Sequence, residues 1–330
     1  MKNSSIDNQP KHNESNEPWV KRFSPALQAL LLILSLSIAV ETQIRFGDGA
    51  HQQKATPAEW QPVEKAIGKN GSMQPGDVFK IGLPRTDLEV TVRGVKINPV
   101  LALGSWVAFK KTGNMTMVMG DLVLTEAEVG PVMWSLQQGG IEQTALHNHV
   151  LDESPRVMYM HISGHGDGLK LAEAIHRALS YTKTPLENPP TATLKRRAPE
   201  ELDMRKVELA LGRSGKENSG VYQFSITRAE KIMEAEIEVP PSMGVATAIN
   251  FQSTGGGRAA ITGDFVLTAT EVNPVIRALR ENGIAVTALH SHMLSESPRL
   301  FFMHFWANDD ALKLAHGLRT ALDKTNSVPN

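Results

Sequence analysis

Apolar and polar residues alternate along most of the chain, and the same order of elements occurs twice. VEKAIGKNG from Val63 and VELALGRSG from Val207 space their apolar residues as a helix does and end at glycine, which predicts two short helices. DVFKIGL, LEVTVRG and SWVAFKK follow the first, and VYQFSIT and AEIEV follow the second, each with the period of two of a half-buried antiparallel strand. MTMVMGDLVLT and AAITGDFVLT predict one more strand in each half. The helix after it opens with a capping box, Thr125 with Glu128 and Thr268 with Glu271, and stops at Gly140 and Gly283. TALHNHVLDESPRVMYMH and TALHSHMLSESPRLFFMH then predict a β-hairpin with ESPR in its turn. LKLAEAIHRALS and ALKLAHGLRTAL close each half as amphipathic helices.

The two halves are copies. Between Met119 and His161, roughly 24 of 43 positions are identical to those between Thr262 and His304, an offset of 143. The β-α-β-β-α order of each copy predicts an α+β fold: an antiparallel sheet with helices on one face, duplicated about a pseudo-twofold axis. Repeat 1 spans residues 60–182 and repeat 2 residues 202–325. Between them lies a proline-rich, charged linker, 183–201. Neither half carries a phosphate-binding glycine fingerprint, and GGGR at Gly255–Arg258 reads as a loop before a strand.

Ahead of the copies stand a polar leader (1–22), an uncharged apolar run (23–40) and a Gln-rich tether (41–59). The run FSPALQALLLILSLSIAV has 18 residues, the short end of what crosses a hydrocarbon core of about 30 Å. Its basic flank Lys21-Arg22 and small-residue end Ser37-Ile38-Ala39 also fit a secretory signal cleaved after Ala39. The long leader favours an uncleaved anchor, while a start at Val20 would leave an ordinary signal. Either way the chain is expected outside the cytoplasm, secreted or held at the cell envelope, with Lys21-Arg22 inside. If the segment is uncleaved, the membrane is a partner.

Composition narrows the chemistry. With 330 residues and 41% hydrophobic content, each copy can bury its own core. A net charge of −1 and no basic stripe argue against a nucleic-acid partner. The absence of cysteine removes disulfides, thiolate ligands and cysteine nucleophiles.

Six of the 11 histidines fall in two matched triplets, His147, His149, His161 and His290, His292, His304. Residues i and i+2 of a strand share a face, so each His-x-His pair can converge on one ion. Glu153 and Glu296 lie four residues on and offer a third ligand or a catalytic base. Imidazoles with a carboxylate suit Zn, Fe, Mn, Ni or Cu, and residue types do not choose among these. Arg156 and Arg299 could hold a small anionic ligand, or simply pair with those glutamates. Between the copies Asn148 becomes Ser291, Asp152 becomes Ser295 and Tyr159 becomes Phe302, while histidine, glutamate, proline and arginine persist. Asp121 and Asp264, in a shared Gly-Asp pair, read as turn residues, and His165, matched by Asn308, as a helix-capping loop residue. His-x-His-x3-Glu also opens the metal motif of cupins, but the later cupin histidine and glycine pattern are missing.

In LGSWVAFKKTG, MVMGDLVLTEAEVGPVM and GIEQTALHNHVLDESPRVMYMHISGHG the chain resembles the domain family of unknown function named for the lipoproteins LppY and LpqO. The resemblance covers both copies. It implies a bacterial, often exported protein and no established reaction. A lipoprotein also needs a lipidated cysteine, which this chain lacks. Three readings stand: a binding protein for a metal ion or small ligand, a metal-dependent enzyme of hydrolase or oxygenase type, and a structural or interaction domain. For the N-terminus, the expected outcome is recovery with membranes and an intact leader. A mature terminus at Val40, read by N-terminal sequencing, would show cleavage instead.

Overall fold

Trp60 opens the first copy because its ring has an apolar place to go. It stacks on Phe79, centroids 5.5 Å apart, and is 2% exposed. A computed structural model describes residues 56–187 and 202–329. The leader, the apolar run, most of the tether and most of the linker lie outside the described residues. Among those described, no helix is long and apolar enough to cross a membrane.

Repeat 1 runs α1 (Gln61–Ile67), β1 (Ser72–Gln74), β2 (Val78–Pro84), β3 (Thr91–Val92), β4 (Val95–Lys96), α2 (Pro99–Ala102), β5 (Gly104–Thr112) and β6 (Met115–Thr125). It continues with α3 (Glu126–Gln138), β7 (Glu142–His147), β8 (Glu153–Ser154), β9 (Val157–Gly166) and α4 (Gly168–Leu179). Repeat 2 runs α5 (Met204–Leu211), β10 (Lys216–Asn218), β11 (Val221–Ile226), β12 (Met233–Glu234), β13 (Ile237–Glu238), a 3-10 turn at Pro241–Met243, β14 (Thr247–Gly255) and β15 (Arg258–Leu267). It closes with α6 (Ala269–Glu281), β16 (Ala285–His290), β17 (Phe301–Asp310) and α7 (Ala311–Leu322).

Each repeat is thus an α+β unit built on a six-stranded antiparallel sheet, ordered β1-β2-β5-β6-β9-β7 and β10-β11-β14-β15-β17-β16. The short helices end as predicted, with Gly68 and Gly212 in the left-handed region at φ 82° and 66°. Both capping boxes are made. Three expectations change. LEVTVRG and AEIEV do not join the main sheets but form small ribbons, because polar and turn-forming residues leave only two paired residues per strand. TAINFQSTG, not anticipated as a strand, is β14 in the middle of the second sheet. His165 lies within β9 opposite Met117, and Asp167 caps α4 instead by accepting from the Lys170 amide.

Period-two alternation gives each sheet two apolar faces. One packs on its own helices: Ile81, Val107, Leu122 and Ile162 against Leu136 and Ile175, and their equivalents against α6 and α7. The other faces meet one another. Met117 and Met119 share a core with Val266 and Phe302, and Tyr159 shares one with Ala260 and Trp306. The layers run helix, sheet, sheet, helix. Polar bonds cross the seam between copies, including Asn98 N to Gln252 Oε1 at 2.8 Å and Asn250 Nδ2 to the Leu101 carbonyl at 3.2 Å.

A buried arginine locks each unit. Arg85 is fully buried and donates to both Glu128 oxygens, at 2.8 and 3.1 Å, and to the Val123 carbonyl at 2.7 Å. Arg228 repeats this with Glu271 and the Val266 carbonyl. The capping-box glutamate therefore joins the start of a helix to the end of β2 or β11. Burial opposes ionisation of Glu128, but hydrogen bonds from Arg85 and the Thr125 amide outweigh it and hold its carboxyl below the usual range. A carboxyl lowered in the folded state adds stability above its unfolded pKa, and that stability is lost as pH falls. Denaturant titrations of Arg85→Ala and Arg228→Ala should each show a loss of about 3–5 kcal/mol, since an uncompensated buried carboxylate remains. In wild-type protein the denaturation midpoint should fall with acid below about pH 5.

Candidate metal centre

Register decides which face the histidines take. Asp121 opposes His161, Val123 opposes Tyr159, and Tyr159 in turn opposes His147. Directly opposed residues share a face, so Asp121, His147, Tyr159 and His161 all project into the seam. A bulge makes this possible. Between Gln143 and Ala145 strand β7 spends one extra residue, Thr144, and the phase of its alternation shifts. Repeat 2 has the same bulge at Thr287 and the same set, Asp264 opposite His304 and His290 opposite Phe302. The Thr287 hydroxyl donates to the His149 carbonyl, and Asn148 Nδ2 donates to the Thr287 carbonyl at 3.3 Å, so the two histidine loops are tied together.

The shared Gly-Asp pair also has a structural reason. A Cβ on Gly263 would strike the Ala248 carbonyl, and one on Gly120 would lie 2.9 Å from the Trp106 carbonyl. Glycine lets the neighbouring strand close in, and the next residue points its carboxylate into the seam. Asp121 and Asp264 are therefore mid-strand residues facing the histidines, not turn residues.

The two triplets form one cluster. Ligand atoms of His147, His149 and His161 lie within 4.8 Å of one another, as do those of His147, His290, His292 and His304. Rings from opposite repeats stack: His147 on His290 at 3.5 Å between centroids, His161 on His292 at 3.6 Å and His149 on His304 at 3.8 Å. The contact of His147 with its own equivalent His290 is what a local twofold axis produces. Asp121 Oδ2 is 3.9 Å from Nε2 of both His149 and His161, and Asp264 Oδ2 is 3.4 Å from His292 Nε2.

All six Nε2 atoms are buried without a hydrogen-bond partner among the described residues, as are Oδ1 of Asp121 and Asp264. Nδ1 is engaged in three rings, facing the Asn148 carbonyl at 3.1 Å for His147, the Ser291 carbonyl at 3.4 Å for His290 and the Gly263 carbonyl at 2.8 Å for His304. A carbonyl can only accept, so Nδ1 carries the proton and Nε2 presents a bare lone pair. Metal-ligating histidines are fixed in this way. Burial holds these histidines neutral: it lowers His147 to about 4 against the Asn148 carbonyl, and with the His147 imidazole it lowers His290 to about 3. Burial pushes Asp121 up to about 8, opposed by Lys80, and Asp264 well above the usual range. Neutral imidazoles and desolvated carboxylates are both states that a cation relieves.

A model of a Domain of Unknown Function (DUF1259) matches the chain twice, over residues 61–181 and 205–324. The chain belongs to this family. No curated relative matches it. Among solved structures this DUF1259 chain is similar to PduB, a trimeric bacterial microcompartment shell protein, at 13% identity over 78% of this chain and 96% of that one, with a TM-score of 0.21. It is also similar to EtuB from Clostridium kluyveri, at 8% identity over 76% and 90% with a TM-score of 0.18. The ethanolamine utilization protein EutL from Leptotrichia buccalis C-1013-b matches at 8% over 72% and 94%, with a TM-score of 0.18. Superpositions this loose carry no argument about the DUF1259 chain.

The other candidate residues of this DUF1259 chain lie in the loops after each His-x-His. Glu153 pairs with Val92 of β3, and Arg93 pins that loop through an ion pair with Asp152 at 2.9 Å. Glu296 is committed to its own turn, accepting from the Leu300 amide at 2.9 Å and from Arg299 at 3.2 Å. Arg299 also donates to Ser291 Oγ and to the carbonyls of Met293 and Leu294. Arg156 is exposed, 4.0 Å from Glu126. Neither glutamate falls within the two histidine groups; nor does either aspartate, but Asp121 and Asp264, unlike the glutamates, have carboxylate oxygens within 3.9 Å of cluster nitrogens. Burial raises the Glu153 carboxyl to about 7. A carboxyl raised on folding is compatible with the fold when protonated and penalises it once ionised, so the penalty grows as pH rises from the unfolded value through 7. Glu153→Gln should therefore be more stable than wild type at about pH 8 and equal to it at about pH 4, read by thermal melts.

Proposed function

We propose that this chain is a metal-binding protein that holds a divalent transition-metal centre, Zn, Fe, Mn, Ni or Cu, in the seam between its two repeats. The observation that carries the reading is the set of six buried, unpartnered Nε2 atoms. Leaving a buried polar atom unsatisfied costs about 1–3 kcal/mol each, so an empty cluster of this kind is hard to account for by structure alone. Metal bonds of about 2.0–2.1 Å to those nitrogens remove the penalty. Because ligands come from both repeats and the cluster is nearly closed, the ion acts first as a clamp that joins two sheets. Export or anchoring at the envelope through residues 23–40 belongs to the same proposal, and the likeness to the LppY and LpqO domains supports it.

A metal-dependent enzyme is the second reading, favoured by Glu153. A carboxyl held near 7, with Oε2 buried and unpartnered, is suited to act as a general base beside metal-bound water. An anionic ligand at Arg299 has less support, because that guanidinium is already engaged by four acceptors.

Protein purified without an affinity tag should contain transition metal at one equivalent or more by element-resolved analysis. His147→Ala with His149→Ala should lose it. Chelation should lower the thermal midpoint, and metal at about 1,000 times its Kd should restore about 4 kcal/mol. Metal far below one equivalent with no response to chelator would refute the reading.

A further inference from the structure

We infer that the seam holds two ions rather than one, and that each takes an aspartate as its fourth protein ligand. One ion would sit among His147, His149 and His161 with Asp121. The other would sit among His290, His292 and His304 with Asp264. This rests on the metal-binding reading above and adds the nuclearity and the oxygen ligands.

Distance decides against a single ion. Ligands of one ion at about 2.0–2.1 Å can be no more than about 4.2 Å apart. The six nitrogens do not meet even a 4.8 Å limit together, and they divide into two groups that share only His147. A lone ion would therefore leave several imidazoles of the other group dry and unpaired. Assigning His147 to its own triplet leaves three nitrogens on each side, in equivalent positions of the two repeats.

Charge and geometry bring in the aspartates. A divalent ion held by neutral imidazoles alone would carry its full charge into a dry interior, which is costly. Asp121 Oδ2 lies 3.9 Å from Nε2 of His149 and of His161, and Asp264 Oδ2 lies 3.4 Å from Nε2 of His292, so each carboxylate borders its own triplet and completes the set by turning toward the ion. Each also keeps Oδ1 buried without a partner. Three nitrogens and one carboxylate oxygen form a complete set for a four-coordinate ion, or leave positions open on a larger one.

The surroundings of the two positions are not equivalent. Lys80 lies on the seam face of β2, over the Trp106 ring at 3.9 Å, with its ammonium donating to the Ser242 carbonyl at 3.0 Å. Gln223 stands at the matching place in β11. Trp106 opposes Asp121, so the Lys80 ammonium over its ring stands as a cation beside that position and competes with the ion Asp121 would hold; the Asp264 position should fill first.

The test uses the full-length protein, stripped with chelator and titrated with Zn(II) against a chromophoric competitor. Two equivalents should bind, the first more tightly. Asp264→Asn should weaken the tighter equivalent at least tenfold and Asp121→Asn the weaker one, with circular dichroism confirming the fold. Wild-type protein loaded with two equivalents of Cu(II) should show the half-field resonance of a dipolar-coupled pair, a readout that needs no variant. One equivalent without a half-field signal would overturn the two-ion inference, and two equivalents unaffected by either substitution would overturn the aspartate ligands; both outcomes leave the metal reading standing. No binding by wild-type protein would overturn both.

Discussion

Six imidazoles and two carboxylates stand in the seam between two sheets with lone pairs that nothing among the described residues satisfies. Each dry polar atom there is a cost that an apolar side chain would avoid. The rest of the architecture supplies what that cluster requires. Helices cover only one face of each sheet, so the other faces are free to meet. Methionine, phenylalanine and tryptophan from both repeats seal the seam around the polar centre.

Rigidity comes from devices that repeat on both sides. The arginine, carbonyl and capping-box glutamate network fixes the strand ahead of the central helix. The threonine bulge sets the phase of the histidine strand, and the glycine before each aspartate lets the neighbouring strand approach. The loops after His-x-His are held by ribbon strands, β3 to Glu153 in one repeat and Met233 to Ser297 in the other. In the second copy ESPR holds its own turn, Glu296 accepting from Arg299 and from the Leu300 amide. Duplication makes the site, since each triplet stacks its rings on the partner triplet.

Much of this was legible in the chain. Periodicity gave the α+β class, the helix ends and the capping boxes, and the matched triplets picked out the six histidines. The ribbon strands and β14 were misjudged because a strand's membership in a sheet depends on its neighbours and not on its own alternation. Arg85 and Arg228 occupy matched positions, but an isolated arginine gives no local sign of burial. Asp121 and Asp264 were visible as a shared pair but read as turn residues, since Gly-Asp is a common turn dipeptide.

The sequence by itself determined which side chains are present in duplicate and which secondary structure carries them, because periodicity and local hydrogen bonding act over a few residues. Only the tertiary structure decided that the two expected sites adjoin. A one-residue bulge, the pairing of β6 with β9 and the face-to-face meeting of two sheets bring residues 143 positions apart to within 3.5 Å between ring centroids. Those contacts depend on register and layer packing, which no short stretch of sequence encodes.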